Sequence, residues 1–306
     1  MELLLSSPRG FCAGVERAIK IVDEALELLP HPIYVNHEIV HNSHVIEDFK
    51  SKGVIFVEGL EEVPDGASLI FNAHGVPPAL IQQAKDKKLK VIDATCPLVN
   101  KVHFEAIRYA RQGYHILLIG HKGHAEVIGV IGEAEDKIHV VEKPEDVSSL
   151  PFSSEDKLAY ITQTTLSIDD CKSIVDALVK KFPQIEAPKK SDICYATTNR
   201  QGAIKVVSKD ADTVIVVGSK NSSNSNRLRE VAENNGSKAY LVDSAEELKK
   251  EWFSAESTIG ITAGASTPES IVQDVLSWLK ENFEVSSEKE AVTVEENEIF
   301  SLPKIS

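Results

Sequence analysis

Short apolar runs alternate with longer stretches of helical periodicity along most of the chain. Runs such as LLLSS, HILLIG and TVIVVG have the length and branched apolar content of buried strands. Between them, AGVERAIKIVDEALELL and HFEAIRYARQ repeat apolar positions every three or four residues, as amphipathic helices do. The other predicted strands are PIYVN, GVIFV, SLIFNA, KVIDA, IHVVE, LAYITQ, KAYLVD and STIGIT. This alternation predicts an α/β protein with mainly parallel sheets.

Three cysteines fall at equivalent places in this pattern. Cys12, Cys96 and Cys194 each stand beside the start of a predicted helix. Polar residues follow them by 28 or 29 positions, namely His41, His124 and Ser222. A second set follows by 62 to 72 positions, namely His74, Thr164 and Ser266. The matched offsets predict three pseudo-symmetric α/β units, which we place at residues 1–96, 97–193 and 194–283, with a C-terminal tail at 284–306.

The polar residues follow, or lie close to, the carboxyl ends of predicted strands. Ligands of open parallel sheets gather beyond those ends. We therefore expect the N-terminal strand and the Cys12 loop to lie at a centre that the three units share. The stretch GSKNSSNSNRL, residues 218–228, has neither a dinucleotide fingerprint nor a P-loop. Its small neutral donors at the start of a helix are suited to an anion such as phosphate.

Composition restricts the class of protein. The 306 residues are 42% hydrophobic and 26% charged, which is typical of a globular protein. A formal net charge of −14 and the lack of a basic stripe argue against a nucleic-acid partner. No apolar run reaches the roughly 20 residues that span a bilayer, and the N-terminus does not resemble a signal peptide. We therefore expect no membrane partner and a cytoplasmic protein.

The cysteines indicate metal-binding, catalytic or buried thiols rather than disulfide bonds. Four cysteines in a chain of this length do not form a disulfide framework, and Cys171 lies near the apolar stripe of a predicted helix, where a structural thiol is expected. A helix start favours the thiolate at the other three. Spacing alone leaves open an iron–sulfur cluster, a zinc ion or neither, since no two cysteines are close in sequence. Three ligands to a cluster would leave one iron open to substrate.

The motifs together resemble one known family. They are RGFCAGVERAI, NHEIVHN, AHGVPP, DATCPLVNKVH, TQTTLS, DICYATTNRQ, GSKNSSNSNRL and GITAGAS, and they run in order from about Leu3 to about Leu279. This set is similar to that of the 4-hydroxy-3-methylbut-2-enyl diphosphate reductases, which catalyse the last step of the non-mevalonate isoprenoid route. The resemblance implies a trefoil of three α/β units around one central [4Fe–4S] cluster per chain.

The resemblance also implies roles for individual residues. The cluster ligands would be Cys12, Cys96 and Cys194. The substrate-binding residues would be His41, His74, His124, Thr164, Ser222, Ser223, Asn224 and Ser266. The proton donor would be Glu126, with Thr164 beside the reacting carbon chain. One departure is Ala125, where the family pattern leads us to expect proline, so the stiffness of the turn before Glu126 differs.

The implied reaction is reductive removal of an allylic hydroxyl. The substrate alcohol would bind the open iron, Glu126 would supply protons, and isopentenyl and dimethylallyl diphosphate would form. Electrons would come from an external one-electron carrier such as ferredoxin or flavodoxin, with docking candidates at residues 86–90 and near Cys194. Two alternatives are kept: an iron–sulfur sensor or binding module for a small diphosphate, and a zinc hydrolase.

Overall fold

The computed structural model describes residues 1–305, and all its strand pairs are parallel. The strands are β1 (Glu2–Ser7), β2 (Ile33–Asn36), β3 (Val54–Val57), β4 (Ser68–Phe71), β5 (Lys90–Asp93), β6 (His115–Ile119), β7 (Ile138–Val141), β8 (Leu158–Thr162), β9 (Thr213–Val217), β10 (Lys238–Val242), β11 (Thr258–Ala263) and β12 (Ser287–Val292). The predicted α/β class with mainly parallel sheets is confirmed.

Helices separate most of these strands. They are α1 (Ala13–Leu28), α2 (Ser43–Ser51), α3 (Pro78–Asp86), α4 (Pro97–Arg111), α5 (Ala125–Ile131), α6 (Asp146–Ser149), α7 (Ile168–Lys181), α8 (Tyr195–Val207), α9 (Ser223–Asn234) and α10 (Glu269–Asn282). Three short 3₁₀ segments lie at Leu60–Glu62, Ala245–Glu247 and Lys250–Trp252. Among residues 1–305, none of the helices combines the length and apolar character needed to cross a bilayer.

The chain divides into two compact units, and the first is built around one sheet. It comprises Met1–Val15, His41–Glu47 and Tyr195–Ile299. Its sheet has the order β10-β9-β11-β1-β12. Because side chains alternate along β9, Ile215 and Val217 pack in the cluster that contains residues of α10, whereas Val214 and Val216 pack with residues of α8 and α9. Helices therefore cover both faces, as a buried parallel sheet requires.

The second unit contains two smaller sheets. It comprises Glu16–Val40, Asp48–Cys194 and the described residues from Phe300 onward. The sheets have the orders β3-β2-β4-β5 and β7-β6-β8. Alternation along β6 again divides the core, because Ile116 and Leu118 pack with residues of α4 and α5 while Leu117 and Ile119 pack with residues of α7. The partition into three units and their arrangement as a trefoil stay predictions.

Strand β12 lies in the segment that we interpreted as a tail. It pairs with β1 from Glu2↔Ser287 to Ser7↔Val292. Its sequence SEKEAV is mostly exposed and charged, which is how edge strands avoid pairing with other chains. An apolar pattern could not have predicted it. Ser306, the last residue of the predicted tail, lies outside the described residues.

Candidate functional site

Each of the three cysteines immediately precedes a helix, since α1, α4 and α8 begin at the next residue. Each donates its backbone N–H to a polar loop at the end of another strand. Cys12 donates to Ala265 O at 3.1 Å, Cys96 to Ala73 O at 3.0 Å and Cys194 to Thr164 O at 3.0 Å. These acceptors are, or directly precede, the predicted site residues Ser266, His74 and Thr164. The same local contact therefore occurs three times, in agreement with the repeat in the sequence.

The Cys12 loop has a backbone that only glycine permits comfortably. Gly10 has φ of +67°, and an added Cβ would lie 3.1 Å from Thr267 O. Ala13 N donates to Tyr195 Oη at 3.1 Å, and burial raises the pKa of Tyr195. The phenol therefore stays neutral and holds the first turn of α1 beside the loop.

In the first unit three polar segments lie together. Ser266 Oγ donates to His41 O at 2.8 Å. Ser43 N donates to Ser219 Oγ at 3.1 Å, and Ala265 N donates to Asn224 Oδ1 at 2.9 Å. The loops that carry His41, Ser266 and Asn224 are thereby joined directly to one another.

The start of α9 is rich in hydrogen-bond donors. Ser222 caps the helix and accepts from Ser225 N at 3.3 Å, and Ser223 is the first helical residue. Asn224 is 5% exposed, and its Nδ2 is buried without a hydrogen-bond partner among the described residues. A buried amide donor without an acceptor is costly, and an anion at this helix start would supply one. The chemistry of these donors fits a phosphate group.

Asn42 is a polar residue of this region that we did not predict. It is 1% exposed, its Oδ1 accepts from Val45 N at 3.1 Å, and its Nδ2 is buried without a partner among the described residues. The signal was present in NHEIVHN, where a second polar residue follows His41 directly before α2. An asparagine directly before a helix is usually a helix cap, a role that uses only one end of the amide.

Glu126 lies buried in the second unit against Thr164. Both oxygens of its carboxyl group accept hydrogen bonds, because Thr164 N donates to Oε1 at 2.7 Å and Thr164 Oγ1 donates to Oε2 at 2.8 Å. Glu126 is 2% exposed. Burial raises its pKa to about 7, Asp192 adds to the rise, and the two hydrogen bonds from Thr164 oppose it. Glu126 can therefore hold a proton near neutral pH, as a general acid must.

His124 and His74 lie beside this acid. His124 caps α5, and its Nδ1 accepts from Glu126 N at 3.2 Å, so that this nitrogen carries no proton. The rings of His74 and His124 meet edge to face with centroids 5.9 Å apart. Asn72 Oδ1 accepts from His74 N at 2.8 Å, and Asn72 Nδ2 donates to Asn36 O at 3.0 Å. Ala125, where we expected proline, is the first residue of α5, and Glu126 after it is buried.

The predicted residues are divided between the two units. The first contains Cys12, His41, Ser222, Ser223, Asn224 and Ser266. The second contains His74, Cys96, His124, Glu126, Thr164 and Cys194. Lys220 and Arg227, the two cations of the stretch 218–228, both pair locally, with Glu247 at 2.9 Å and Glu230 at 2.5 Å. The membership of the site as a whole stays a prediction.

The cysteines differ in a way that bears on a cofactor. None of the four forms a disulfide within residues 1–305, and Cys12, Cys96 and Cys194 are half-buried. Cys171 lies on the buried face of α7, and burial raises the pKa of its thiol to about 11. Across the described chain no group of three or more His, Cys, Asp or Glu side chains is arranged to hold a single metal ion. The donor chemistry of the three half-buried thiols fits an iron–sulfur cluster, which prefers thiolates.

Comparisons with known proteins agree with one another. The LytB protein family matches residues 3–280. A 4-hydroxy-3-methylbut-2-enyl diphosphate reductase of Acinetobacter baylyi is 53% identical over 308 residues, covering 99% of this chain and 97% of that protein. The protein of the same description from Protochlamydia amoebophila is 55% identical over 304 residues, with 99% and 97% covered.

Solved structures are similar over the same extent. The E-1-hydroxy-2-methyl-but-2-enyl-4-diphosphate reductase of Plasmodium falciparum has a TM-score of 0.94 and 44% identity, covering 100% of this chain and 95% of that chain. A structure of (E)-4-hydroxy-3-methyl-but-2-enyl diphosphate reductase, described as the terminal enzyme of the non-mevalonate pathway, has a TM-score of 0.66 and 35% identity. It covers 92% of this chain and is itself covered completely.

Proposed function

The chain belongs to the LytB protein family, and from this premise we propose how its residues carry out the activity of its relatives. That activity is the reduction of 4-hydroxy-3-methylbut-2-enyl diphosphate, an oxidoreductase reaction of the non-mevalonate pathway. The substrate loses its allylic hydroxyl as water, and the products are isopentenyl and dimethylallyl diphosphate. The balance requires two electrons and two protons for each molecule of substrate.

Cys12, Cys96 and Cys194 are proposed to hold one [4Fe–4S] cluster per chain. The half-buried state of these thiols and their three equivalent backbone contacts support this assignment. When bound, the cluster supplies electrons singly and a Lewis-acidic iron for the hydroxyl group. Cys171 is excluded from the ligand set, because it is packed in the core and the raised pKa of its thiol disfavours the thiolate.

The diphosphate is proposed to lie among the polar loops. Ser222, Ser223 and Asn224 at the start of α9, with Ser266, would donate hydrogen bonds to its oxygens, and His41, His74 and His124 would complete the set. The buried Nδ2 of Asn224 supports this placement, since it has a proton to donate and no acceptor among the described residues. Neutral donors exclude water from the anion without burying a flexible cation beside it.

Glu126 is proposed to deliver the protons. The observation that carries the proposed mechanism is the buried carboxyl group of Glu126, which keeps a proton near neutral pH. Both of its oxygens accept hydrogen bonds from Thr164, and the carbonyl group of Thr164 accepts a hydrogen bond from Cys194 N. Thr164 would orient the substrate hydroxyl with its own hydroxyl group or relay the proton. A water-poor surrounding keeps the acid protonated until the hydroxyl leaves.

Electrons are proposed to come from an external carrier such as ferredoxin or flavodoxin. The chain offers no dinucleotide fingerprint that would bind a nicotinamide or flavin cofactor of its own. Cytoplasmic location is likewise proposed, and the absence of disulfides within residues 1–305 is compatible with a reducing compartment.

Anaerobic purification tests the proposal. The protein should be brown, with iron and acid-labile sulfide each at about four per chain, as a [4Fe–4S] cluster requires. It should oxidise a reduced viologen only when the allylic diphosphate is added. A cluster without substrate-dependent oxidation would favour a sensor of diphosphates. One zinc per chain with no sulfide would favour the hydrolase.

A further inference from the structure

Arg200 is a fully buried cation on α8, and its guanidinium faces the Cys12 loop. It is 0% exposed. Nη2 donates to Gly10 O at 2.7 Å and to Phe11 O at 3.1 Å, and Nε donates to Gly10 O at 3.1 Å. Two successive carbonyl groups before Cys12 are therefore bound by one rigid side chain. The planar guanidinium of arginine is suited to donate to several acceptors at once, because its donors are fixed relative to one another.

Arg17 makes a corresponding contact from α1. Its Nη1 donates at 3.1 Å to Thr95 O, the carbonyl group directly before Cys96. Arg17 is half-buried and stands five residues after Cys12. The cation on the helix that follows the first cysteine thus binds the loop of the second.

Lys101 repeats the arrangement from α4. Its Nζ donates to Lys190 O and Ser191 O, both at 2.9 Å, and to Asp192 Oδ1 at 2.8 Å. Asp192 Oδ2 in turn accepts from Thr162 N at 3.0 Å, which ties the segment to the end of β8. Lys101 stands five residues after Cys96, and Arg200 stands six after Cys194.

We propose that Arg17, Lys101 and Arg200 form a cyclic set of positioning residues. Each lies about one and a half turns into the helix that follows one cysteine and holds the loop before the next cysteine in the order Cys12, Cys96, Cys194, Cys12. Each cation fixes a short irregular backbone segment by binding its carbonyl groups, so the thiol that follows is held in place for cluster binding. This inference rests on the proposed function for the identity of what the thiols bind.

The C-terminal segment is attached to two members of the set. Glu296 accepts from Arg200 Nη1, with Oε1 at 3.0 Å and Oε2 at 3.2 Å, and Asn199 Nδ2 donates to the same Oε1 at 3.0 Å. Arg17 Nε donates to Ser301 O at 2.9 Å. The guanidinium of Arg200 is buried, and such a charge requires a partner. Glu296 therefore compensates the buried charge of Arg200 and helps to orient its guanidinium toward the Cys12 loop, although the segment carries no sequence motif that we recognised.

The pattern predicts which thiol each substitution releases. Arg17→Gln should expose Cys96 rather than Cys12, although Arg17 lies on the helix that begins beside Cys12. Lys101→Met should expose Cys194. Arg200 is buried so completely that its own substitution endangers folding, so Glu296→Gln is the variant chosen to expose Cys12. We expect each named thiol to react about tenfold faster or more with an alkylating agent, the factor that corresponds to about 1.4 kcal/mol.

The experiment follows each cysteine of the cluster-free full-length chain by mass spectrometry under nitrogen. In Arg17→Gln and Lys101→Met the loss of a positive charge would by itself slow alkylation, because a cation favours the thiolate, so acceleration reports loosening of the loop. In Glu296→Gln the loss of a carboxylate would by itself speed alkylation, so only acceleration beyond that of the matched carboxylate control reports loosening. The matched controls are Lys20→Gln, an exposed cation on α1 that pairs with Glu16, and Glu288→Gln, which removes an exposed carboxylate of β12 that pairs with Lys280 of α10. Lys101→Arg should restore protection of Cys194.

Two further readouts separate a local effect from unfolding. The core thiol of Cys171 reports on the second unit, and Trp252 and Trp278, the two tryptophans, pack in the core of the first. Acceleration of the named thiol alone, with Cys171 protected and tryptophan emission unchanged, supports the inference. Unchanged rates, or acceleration of a different thiol, overturn it, and so does a parallel loss of both core signals.

Cluster-loaded protein gives an independent measurement. Iron should pass to a chelator about tenfold faster or more from Arg17→Gln, Lys101→Met and Glu296→Gln than from Lys20→Gln or Glu288→Gln. Equal rates would overturn the positioning role. A wild-type chain that binds no cluster would instead refute the proposed function, while the alkylation pattern of the cluster-free chain would still decide the cyclic arrangement.

Discussion

Glu126 and Asp192 illustrate how the surroundings of a carboxyl group decide what it does. Asp192 is fixed as a hydrogen-bond acceptor by Lys101 and by the backbone of Thr162. Glu126 meets only the two donors of Thr164, and burial dominates its pKa. One carboxyl group therefore serves as a structural anion, and the other is suited to carry a proton.

Replacement of Glu126 by glutamine should stop turnover and spare binding. The amide has the same shape but no acidic proton, so kcat should fall by about a hundredfold or more, the usual contribution of a general acid. The iron content and the dissociation constant of the diphosphate should change little. Steady-state oxidation of a reduced viologen, with iron analysis of the same sample, provides the measurement.

Glu133→Gln is the matched control, because Glu133 is a carboxylate of the same unit that pairs with His103 at 2.7 Å and has no contact with Thr164. Its kcat should stay close to that of the wild type. Equal losses in the two variants would mean that Glu126 acts through folding, and retained turnover in Glu126→Gln would remove it from the mechanism.

Cys171 provides a test of the ligand assignment. Its thiol lies on the buried face of α7 and has a raised pKa, so Cys171→Ser should leave the iron and sulfide contents unchanged. Burial of a hydroxyl group there should cost about 1–3 kcal/mol of unfolding free energy. Serine at Cys12, Cys96 or Cys194 should instead lower the cluster content severely. Metal analysis of the four variants decides, and cluster loss in Cys171→Ser would contradict the assignment.

At the scale of elements, the role that we propose for α9 depends on the hydrogen-bond donors of its first turn. The helix brings its positive end, the hydroxyl group of Ser223 and the amide of Asn224 to one place. Asn224 has two separable functions, because its Oδ1 holds Ala265 N while its Nδ2 has no partner among the described residues. The first function builds the loop, and the second is available to a ligand.

Asn224→Asp should separate these functions. The carboxylate keeps an acceptor for Ala265 N and replaces a buried donor by a negative charge, which should repel the diphosphate. We expect KM to rise at least about tenfold, since a hydrogen bond to a charged group contributes about 1.5–3 kcal/mol. Titration of the diphosphate into the cluster-loaded variant gives the loss of affinity directly.

Asn234→Asp serves as the control, because it introduces the same charge at the exposed far end of α9. It should weaken the helix by about 0.3–1 kcal/mol, since a negative charge at a helix C-terminus opposes the dipole. KM should stay unchanged, because Asn234 lies at the opposite end of α9 from Asn224. Similar KM values in both aspartate variants and the wild type would exclude Asn224 from the diphosphate site.

At the scale of the whole molecule, the apolar pattern predicted strands β1 to β11 because each is a short run with buried branched side chains. It could not predict β12, whose charged residues are those of an edge strand. The cysteine offsets predicted equivalent loops, and the backbone contacts of Cys12, Cys96 and Cys194 agree with them. Offsets describe order along the chain, so they could not indicate that Arg200 binds the carbonyl groups before Cys12.

The sequence could not indicate which groups bind the cations that hold the cysteine loops. Arg200 and Lys101 lie in the quoted motifs, but a cation in a helix is usually exposed, and nothing in its spacing identifies a carbonyl group as its partner. Glu296 lies in a segment without a motif, more than ninety residues away from Arg200. Only the folded backbone joins these groups, because the acceptors belong to irregular loops.

The buried acids also make the stability of the whole molecule depend on pH. Burial raises the pKa of Glu126 from 4.5 to about 7. The pKa of Glu105 is raised to about 7 as well, first by burial and then by Asp192, with Lys101 and Arg108 opposing the rise. Between pH 4.5 and 7 these two groups therefore bind more protons in the folded chain than in the unfolded chain. Their contribution to the free energy of unfolding should fall as pH rises through this window and level off above it, while the lowered pKa of His139 acts in the opposite direction below pH 6.5.

Urea unfolding of the cluster-free chain from pH 5 to pH 8 measures this slope. Glu126→Gln removes one titrating group and should flatten the curve, making the variant more stable than the wild type above pH 7 by up to about 3 kcal/mol. Glu105→Gln should remove part of the remaining slope. Glu247→Gln is the control, because its carboxyl group has a lowered pKa and acts only below this window. An equal change in stability from pH 5 to pH 8 in Glu126→Gln and in the wild type would contradict the raised pKa of Glu126, and with it the proton that Glu126 is proposed to hold.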